Sequence, residues 1–149
     1  MVATVFFSLG MFGREYRWIL PENMPVPVVP PDNPMTVTKV ELGRWLFYDT
    51  RLSVNKTMSC GSCHVQHLAF TDERGNAVGV TGERHPRGSM SLVNAAYGSR
   101  LTWANHLLDR LEVQVLTPLF NEAPVEMGMA GREHEIVQLL RTDSRYKDL

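Results

Sequence analysis

Two cysteines and a histidine form the tightest group of reactive side chains in the sequence. They occur as Cys60-Gly61-Ser62-Cys63-His64, and the 149-residue chain has no other cysteine. A Cys-x-x-Cys-His run is the attachment signature of c-type haem. Each thiol can close a thioether bond onto a haem vinyl group, and the adjacent imidazole can take an axial position on the iron. The run predicts one covalently bound haem c with His64 as the proximal iron ligand.

The same cysteine spacing also occurs in redox disulfides and in zinc sites. A thioredoxin-like disulfide belongs in a βαβ pattern, and a structural zinc site usually brings a second pair of ligands. The sequence has neither feature, which makes haem attachment the favoured interpretation. Since both cysteines lie in this one run, no disulfide framework is inferred.

The overall composition is that of an ordinary globular domain. Hydrophobic residues make up 44% and charged residues 21% of the chain, and this length suffices for one domain with a sizeable core. The formal net charge of -1 argues against a nucleic-acid partner, which would require clustered Lys and Arg. Because c-type haem is attached outside the cytoplasm, we expect a periplasmic protein.

The chain divides into three predicted segments. Residues 1–13 are apolar but shorter than the ~20 residues that span a bilayer, and we interpret them as the remnant of a signal segment. Residues 14–34 hold six of the nine prolines, which predicts an extended strap over the domain surface. Residues 35–149 are predicted to form the c-type haem domain, truncated before a second haem domain. No membrane span is predicted.

Helical periodicity dominates the predicted haem domain. The capping-box pattern Thr38-x-x-Glu41 predicts an amphipathic helix that ends near Asp49. Pro118 and Pro124 are expected to force a loop. The other expected features are a long polar loop, a helical turn and two helices, at residues 68–87, 91–97, 107–116 and 132–141. Since β signals are sparse, the predicted fold class is mostly α: a cytochrome c-like helical haem domain with long loops.

Further residue runs are informative together, in their order and spacing. They are Leu42-Gly43-Arg44, Leu46-Phe47-Tyr48-Asp49, Arg51-Leu52-Ser53, Phe70-Thr71-Asp72, residues 91–97, Trp103, Leu111-Glu112-x-Gln114 and residues 124–128. With the haem run, they resemble the N-terminal haem domain of the bacterial di-haem cytochrome c peroxidase and MauG family. Residues 84–90 and 101–105 are most similar to the MauG-like branch that includes MbnH.

The resemblance implies a haem that reacts with peroxide. Gln114 and Glu126 match the family's distal-pocket Gln and Glu, on the iron face opposite His64. A carboxylate there can take a proton from one peroxide oxygen and return it to the other, which is general acid–base catalysis. An amide can only hold substrate or water in place. Trp103 matches the indole that relays an electron between the two haems of the family.

The implied activity is that of a di-haem peroxidase or MauG-like oxidoreductase. Hydrogen peroxide would be reduced with electrons from a cytochrome or cupredoxin, or by oxidation of an aromatic side chain on a partner protein. The full protein is expected to hold two haems, one of them in this chain. We therefore expect this chain to be inactive alone.

The alternative is a monohaem electron-transfer cytochrome, in which a methionine would be the second axial ligand. The candidates are Met58, Met90, Met127 and Met129. His85, in the long polar loop, is another candidate, because a loop histidine covers the distal iron face in some di-haem peroxidases.

The sequence departs from the family pattern in two places. Where the family commonly has Trp-Asp-Gly-Arg, this chain has Trp103-Ala104-Asn105-His106. Gly88 stands where many members place an asparagine that binds an inter-haem calcium. A glycine offers only its carbonyl oxygen to a hard cation. The calcium implied by the resemblance therefore lacks a side-chain ligand here.

Overall fold

Short helices joined by long loops make up the fold. The structure, a computed structural model, describes residues 13–147 and 149. The helices are α1 Val37–Tyr48, α2 Cys60–Cys63, α3 Leu111–Gln114, α4 Leu116–Phe120, α5 Glu133–Thr142 and α6 Ser144–Lys147, with 3-10 turns at Thr50–Leu52, Gln66–Leu68 and Ala95–Tyr97. Sheet-like pairing within the described residues is limited to isolated bridges. The predicted mostly-α fold class is confirmed.

The predicted signal segment lies, except for Gly13, outside the described residues. Throughout the described part of the chain, no helix is long and apolar enough to cross a membrane.

The helix predicted at residues 38–48 is present as α1, but its cap is not the predicted one. The Thr36 hydroxyl accepts a hydrogen bond from the Lys39 amide at 3.2 Å, and Asp49 ends the helix. Thr36 has the extended backbone that an N-cap requires, whereas Thr38 lies within the helix. The capping-box prediction at Thr38 was therefore wrong by two residues.

Residues 14–34 contain no helix and lie along the surface of the domain. The Tyr16 amide donates to the Met35 carbonyl at 3.1 Å, and the Tyr97 hydroxyl donates to the Pro25 carbonyl at 2.7 Å. Near its end, the Asp32 carboxylate accepts two hydrogen bonds of 3.1 Å from the Arg110 guanidinium. This segment is thus held at three separate points.

The chain between residues 101 and 120 differs from its prediction. Helix α3 begins only at Leu111, because the Asn105 side chain accepts a hydrogen bond from the Leu107 amide at 3.0 Å and holds a turn there. Pro118 does not force a loop but lies in the first turn of α4. Amides of the first turn have no partner within a helix, so proline loses nothing there.

The buried apolar core of the described residues is small. Its buried apolar residues are Leu52, Ala77, Met127, Met129 and Tyr146. The Val54 amide donates to the Met127 carbonyl at 3.0 Å. The buried Ser53 hydroxyl accepts from the Met58 amide at 3.2 Å. These contacts join the segment that leads into α2 to the loop that carries Glu126.

Candidate active site

One turn of helix places the two predicted haem-binding thiols together. At the start of α2, the Ser59 amide donates to the Ser62 hydroxyl at 3.0 Å, and at its end the His64 amide donates to the Cys60 carbonyl at 2.9 Å. Residues three apart lie on one helix face, so Cys60 and Cys63 are neighbours. Both are half-buried free thiols.

The His64 imidazole is held in the tautomer that an iron ligand needs. Its Nδ1 lies 3.0 Å from the Phe70 carbonyl oxygen. Because a carbonyl can only accept, Nδ1 carries the proton, and Nε2 keeps its lone pair for a metal. The Phe47 ring lies beside it, with 6.5 Å between the ring centroids.

The electrostatics of the two thiols do not suit a redox dithiol. Burial raises the pKa of both Cys60 and Cys63, and nearby carboxylates, Glu126 among them, raise it further. Cysteines that act in thiol exchange have a lowered pKa. Two thiols on one helix face, beside an imidazole with a free Nε2, instead fit a haem c.

Glu126 lies in the same neighbourhood as this donor set. Burial raises the pKa of its carboxyl group, and the electrostatic influence of the nearby His85 and His64 side chains opposes that effect. Its main chain is fixed, because the Val80 amide donates to the Glu126 carbonyl at 2.8 Å. The structure thus brings together a histidine ligand candidate and a half-buried carboxyl group with an upward-shifted pKa.

Among the described residues, Gln114 is connected to this group through the backbone. It is half-buried at the end of α3, immediately before α4. Two carbonyls of α4, those of Pro118 and Leu119, accept hydrogen bonds of 2.9 Å from the Met127 and Met129 amides. Helix α4 therefore links Gln114 to the loop that carries Glu126.

Trp103 lies at the surface, with 56% of its area exposed. Its indole N–H donates to the Gly88 carbonyl at 2.9 Å, and the Arg87 guanidinium lies 5.6 Å from the ring centroid. Beside it is a cavity of about 410 Å³, also lined by Arg74. Arg74 is also one of the charges that influence the pKa of the Cys63 thiol.

The surroundings of Gly88 do not suit a calcium ligand. A β-carbon there would lie 2.1 Å from the Arg74 carbonyl oxygen, which excludes an asparagine in this backbone arrangement. The Gly88 carbonyl already accepts the indole hydrogen bond of Trp103. The described residues also contain no cluster of three His, Cys, Asp or Glu that could hold a metal ion.

Gly79 makes a close backbone contact with Val125 that the sequence did not predict. A β-carbon at this position would lie 1.8 Å from the Val125 carbonyl oxygen, next to Glu126. We expect Gly79→Ala to lower the free energy of unfolding by about 1–3 kcal/mol, the usual cost of overpacking. Chemical denaturation of the haem-loaded protein measures it. Gly75→Ala is the matched control, since a β-carbon at Gly75 meets nothing within 4 Å; equal losses would contradict the expected clash.

Helices around a Cys-x-x-Cys-His run, with a histidine poised as a ligand, define a c-type haem domain. The family model for di-haem cytochrome c peroxidase matches residues 37–149. The chain belongs to this family, as the sequence predicted. The family implies haem c and an oxidoreductase.

Three relatives illustrate the similarity. Cytochrome-c peroxidase IdrP1 of Denitromonas iodatirespirans is 42% identical over 109 residues, which is 72% of this chain and 26% of that protein. The methylamine utilization protein MauG of Methylorubrum extorquens is 38% identical over 114 residues, or 76% and 31%. The crystal structure of a MauG-like protein associated with microbial copper homeostasis matches with a TM-score of 0.83 and 48% identity, covering 89% of this chain and 38% of that one. This chain thus spans between a quarter and two fifths of the length of these three relatives.

Proposed function

We propose that this chain is the peroxide-reacting haem domain of a di-haem peroxidase or MauG-like oxidoreductase. Cys60 and Cys63 would hold a haem c, and His64 would be its proximal ligand through Nε2. The observation that carries the proposal is the Nδ1 hydrogen bond of His64 to the Phe70 carbonyl, which leaves Nε2 free beside the two thiols. When bound, the haem supplies the redox-active iron at which peroxide is reduced.

Glu126 is the proposed acid–base group. Its carboxylate accepts the proton of the peroxide oxygen that approaches the site and returns it to the other oxygen as the O–O bond breaks. Burial keeps the pKa of Glu126 above the usual range of a glutamate, which favours return of the proton.

Gln114 and Trp103 have supporting roles in this proposal. The Gln114 amide holds the peroxide or a water, since it cannot transfer protons. The exposed Trp103 indole is an electron relay towards a second haem. The Arg87 guanidinium lies over its ring and makes a cation–π interaction with it.

The whole protein would reduce hydrogen peroxide with electrons from a partner. The donor is a small cytochrome or cupredoxin, or an aromatic side chain of a partner protein that becomes oxidised. We place the protein in the periplasm, with a second haem c in a further domain. Residues 14–34 serve as a surface strap and residues 35–149 as the haem domain, and this chain without the second haem does not turn over.

The ferric optical spectrum of the haem-loaded chain tests this proposal against the monohaem electron carrier. The proposal expects a spectrum that changes when hydrogen peroxide is added. A six-coordinate low-spin spectrum that is indifferent to peroxide would support the electron carrier instead. The buried Met127 and Met129 are then the ligand candidates to replace. Retention of haem after denaturation measures the covalent attachment, which Cys60→Ala with Cys63→Ala should abolish.

A further inference from the structure

His85 is a buried histidine that the proposed chemistry does not use. Only 8% of its surface is exposed. Its amide donates to the Ala77 carbonyl at 2.8 Å, and its carbonyl accepts from the Asn76 side chain at 2.7 Å. The backbone of His85 is therefore held on both sides, which disfavours this residue as the ligand that covers the distal iron face.

The ring of His85 makes one specific polar contact. Its Nε2 lies 3.1 Å from the Val125 carbonyl oxygen. A carbonyl can only accept, so Nε2 carries the proton and donates it. The two groups meet over Gly79, where a β-carbon would be 1.8 Å from that oxygen and 3.0 Å from Nε2. The close approach depends on a residue without a side chain.

This contact acts on the residue next to Val125, which is Glu126. The Val125 carbonyl is held by the His85 ring, and the Glu126 carbonyl is held by the Val80 amide at 2.8 Å. Two successive carbonyls, one on each side of the Glu126 α-carbon, are thus fixed by the same loop. Their fixation limits rotation of the backbone that aims the Glu126 carboxyl group.

We infer that His85 is a positioning residue, which aims Glu126 through its Nε2–H hydrogen bond to the Val125 carbonyl and is not an iron ligand. The inference rests on the proposed role of Glu126. A group that aims a catalytic carboxyl matters because a displacement of about 1 Å can cost about 10²-fold in rate.

Two variants separate this role from simple filling of space. His85→Leu keeps a similar volume but removes the donor, and His85→Gln keeps an N–H that can reach the same carbonyl. We expect His85→Leu to lower the second-order rate constant with peroxide by about 10- to 100-fold, and His85→Gln to restore most of it. His106→Leu, at an exposed histidine, is the matched control. A His85→Gln protein as slow as His85→Leu would overturn the inference.

Two measurements do not depend on the rate alone. Hydrogen exchange at the Val80 amide should accelerate in His85→Leu and return in His85→Gln, because that amide reports the fixed Glu126 carbonyl. The ferric spin state should be the same in wild type and both variants. A change from low spin to high spin in His85→Leu would make His85 an iron ligand and overturn the inference.

A double variant distinguishes failure of this inference from failure of the proposed function. If His85 acts through Glu126, adding His85→Leu to Glu126→Gln should slow the reaction little further. Additive losses would overturn the positioning role and leave Glu126 in place. An unchanged rate in Glu126→Gln alone would remove the acid–base role and the inference with it.

Discussion

Replacement of Glu126 by glutamine is expected to slow the reaction with hydrogen peroxide by about 10²–10⁴-fold, the contribution usual for a positioned acid–base group. Glutamine keeps the shape of the side chain but cannot take up or return a proton. Stopped-flow spectroscopy of the haem-loaded protein measures the second-order rate constant. The haem should stay attached, because Glu126 takes no part in the thioether bonds.

The pH dependence of that rate is a second signature of Glu126. The base form is the carboxylate, so the rate constant should rise as pH increases through the pKa of Glu126, which burial raises above the usual glutamate range. That limb of the profile should be absent in Glu126→Gln. A profile that is the same in both proteins would assign the titration to another group.

Glu122 provides a matched control for these effects. It lies in the same loop, is exposed, and precedes Glu126 by four residues. Glu122→Gln should leave the rate constant and its pH profile unchanged. The stability of the protein should not fall together with the rate. Because burial raises the pKa of Glu126 in the folded state, the ionised carboxylate lowers the free energy of unfolding at pH values above that pKa. Glu126→Gln should therefore not lower the melting temperature at neutral pH. Equal losses of rate in the two variants would remove Glu126 from the mechanism.

The sequence predicted the part of the site that depends on local spacing. The spacing of the Cys-x-x-Cys-His run singled out Cys60, Cys63 and His64, and the structure adds that the two cysteines begin and end one short helix, α2. Glu126 was found through a resemblance that spans the chain. Its burial has no local sequence signal, because a glutamate two residues after Pro124 is expected at the surface.

Long-range backbone contacts could not be predicted from the sequence. The Phe70 and Val125 carbonyls accept from His64 and His85, and any residue type supplies a carbonyl. In the sequence, Gly79 cannot be distinguished from other loop glycines. Its close contact with the Val125 carbonyl is visible only in the folded structure. The loop predicted at Pro118 was wrong for a related reason, because the effect of a proline depends on where the helix begins. Local patterns specify elements, and tertiary packing decides their ends.

A group of charged side chains ties the end of the described chain to the segment before the haem run. The Arg51 guanidinium bonds to the carboxylates of Asp49 and Asp143, and the Tyr146 hydroxyl donates to Asp49. Burial alone would raise the pKa of Asp49, but the hydrogen bonds from Arg51 and Tyr146 outweigh it and lower the pKa from 3.8 to about 2. Since one pKa unit corresponds to about 1.4 kcal/mol, ionised Asp49 contributes about 2 kcal/mol at neutral pH.

Replacement of Arg51 by methionine is therefore expected to lower the free energy of unfolding by about 2–3 kcal/mol at pH 7, because it leaves the buried Asp49 carboxylate without its main partner. Arg44→Met is the matched control. Its ion pair with Glu41 is exposed, with 73% of the Arg44 side chain accessible, so the loss should be at most about 0.5 kcal/mol.

The stabilisation by Asp49 should also depend on pH. Because its pKa is lowered in the folded state, its contribution to the free energy of unfolding is present above the unfolded-state pKa and is lost as the pH falls through the folded-state pKa. The difference between wild type and Arg51→Met should accordingly shrink as the pH falls from 3.8 to about 2. Denaturant unfolding at several pH values measures it, and a loss in Arg51→Met no larger than in Arg44→Met would show that this group does not anchor α6.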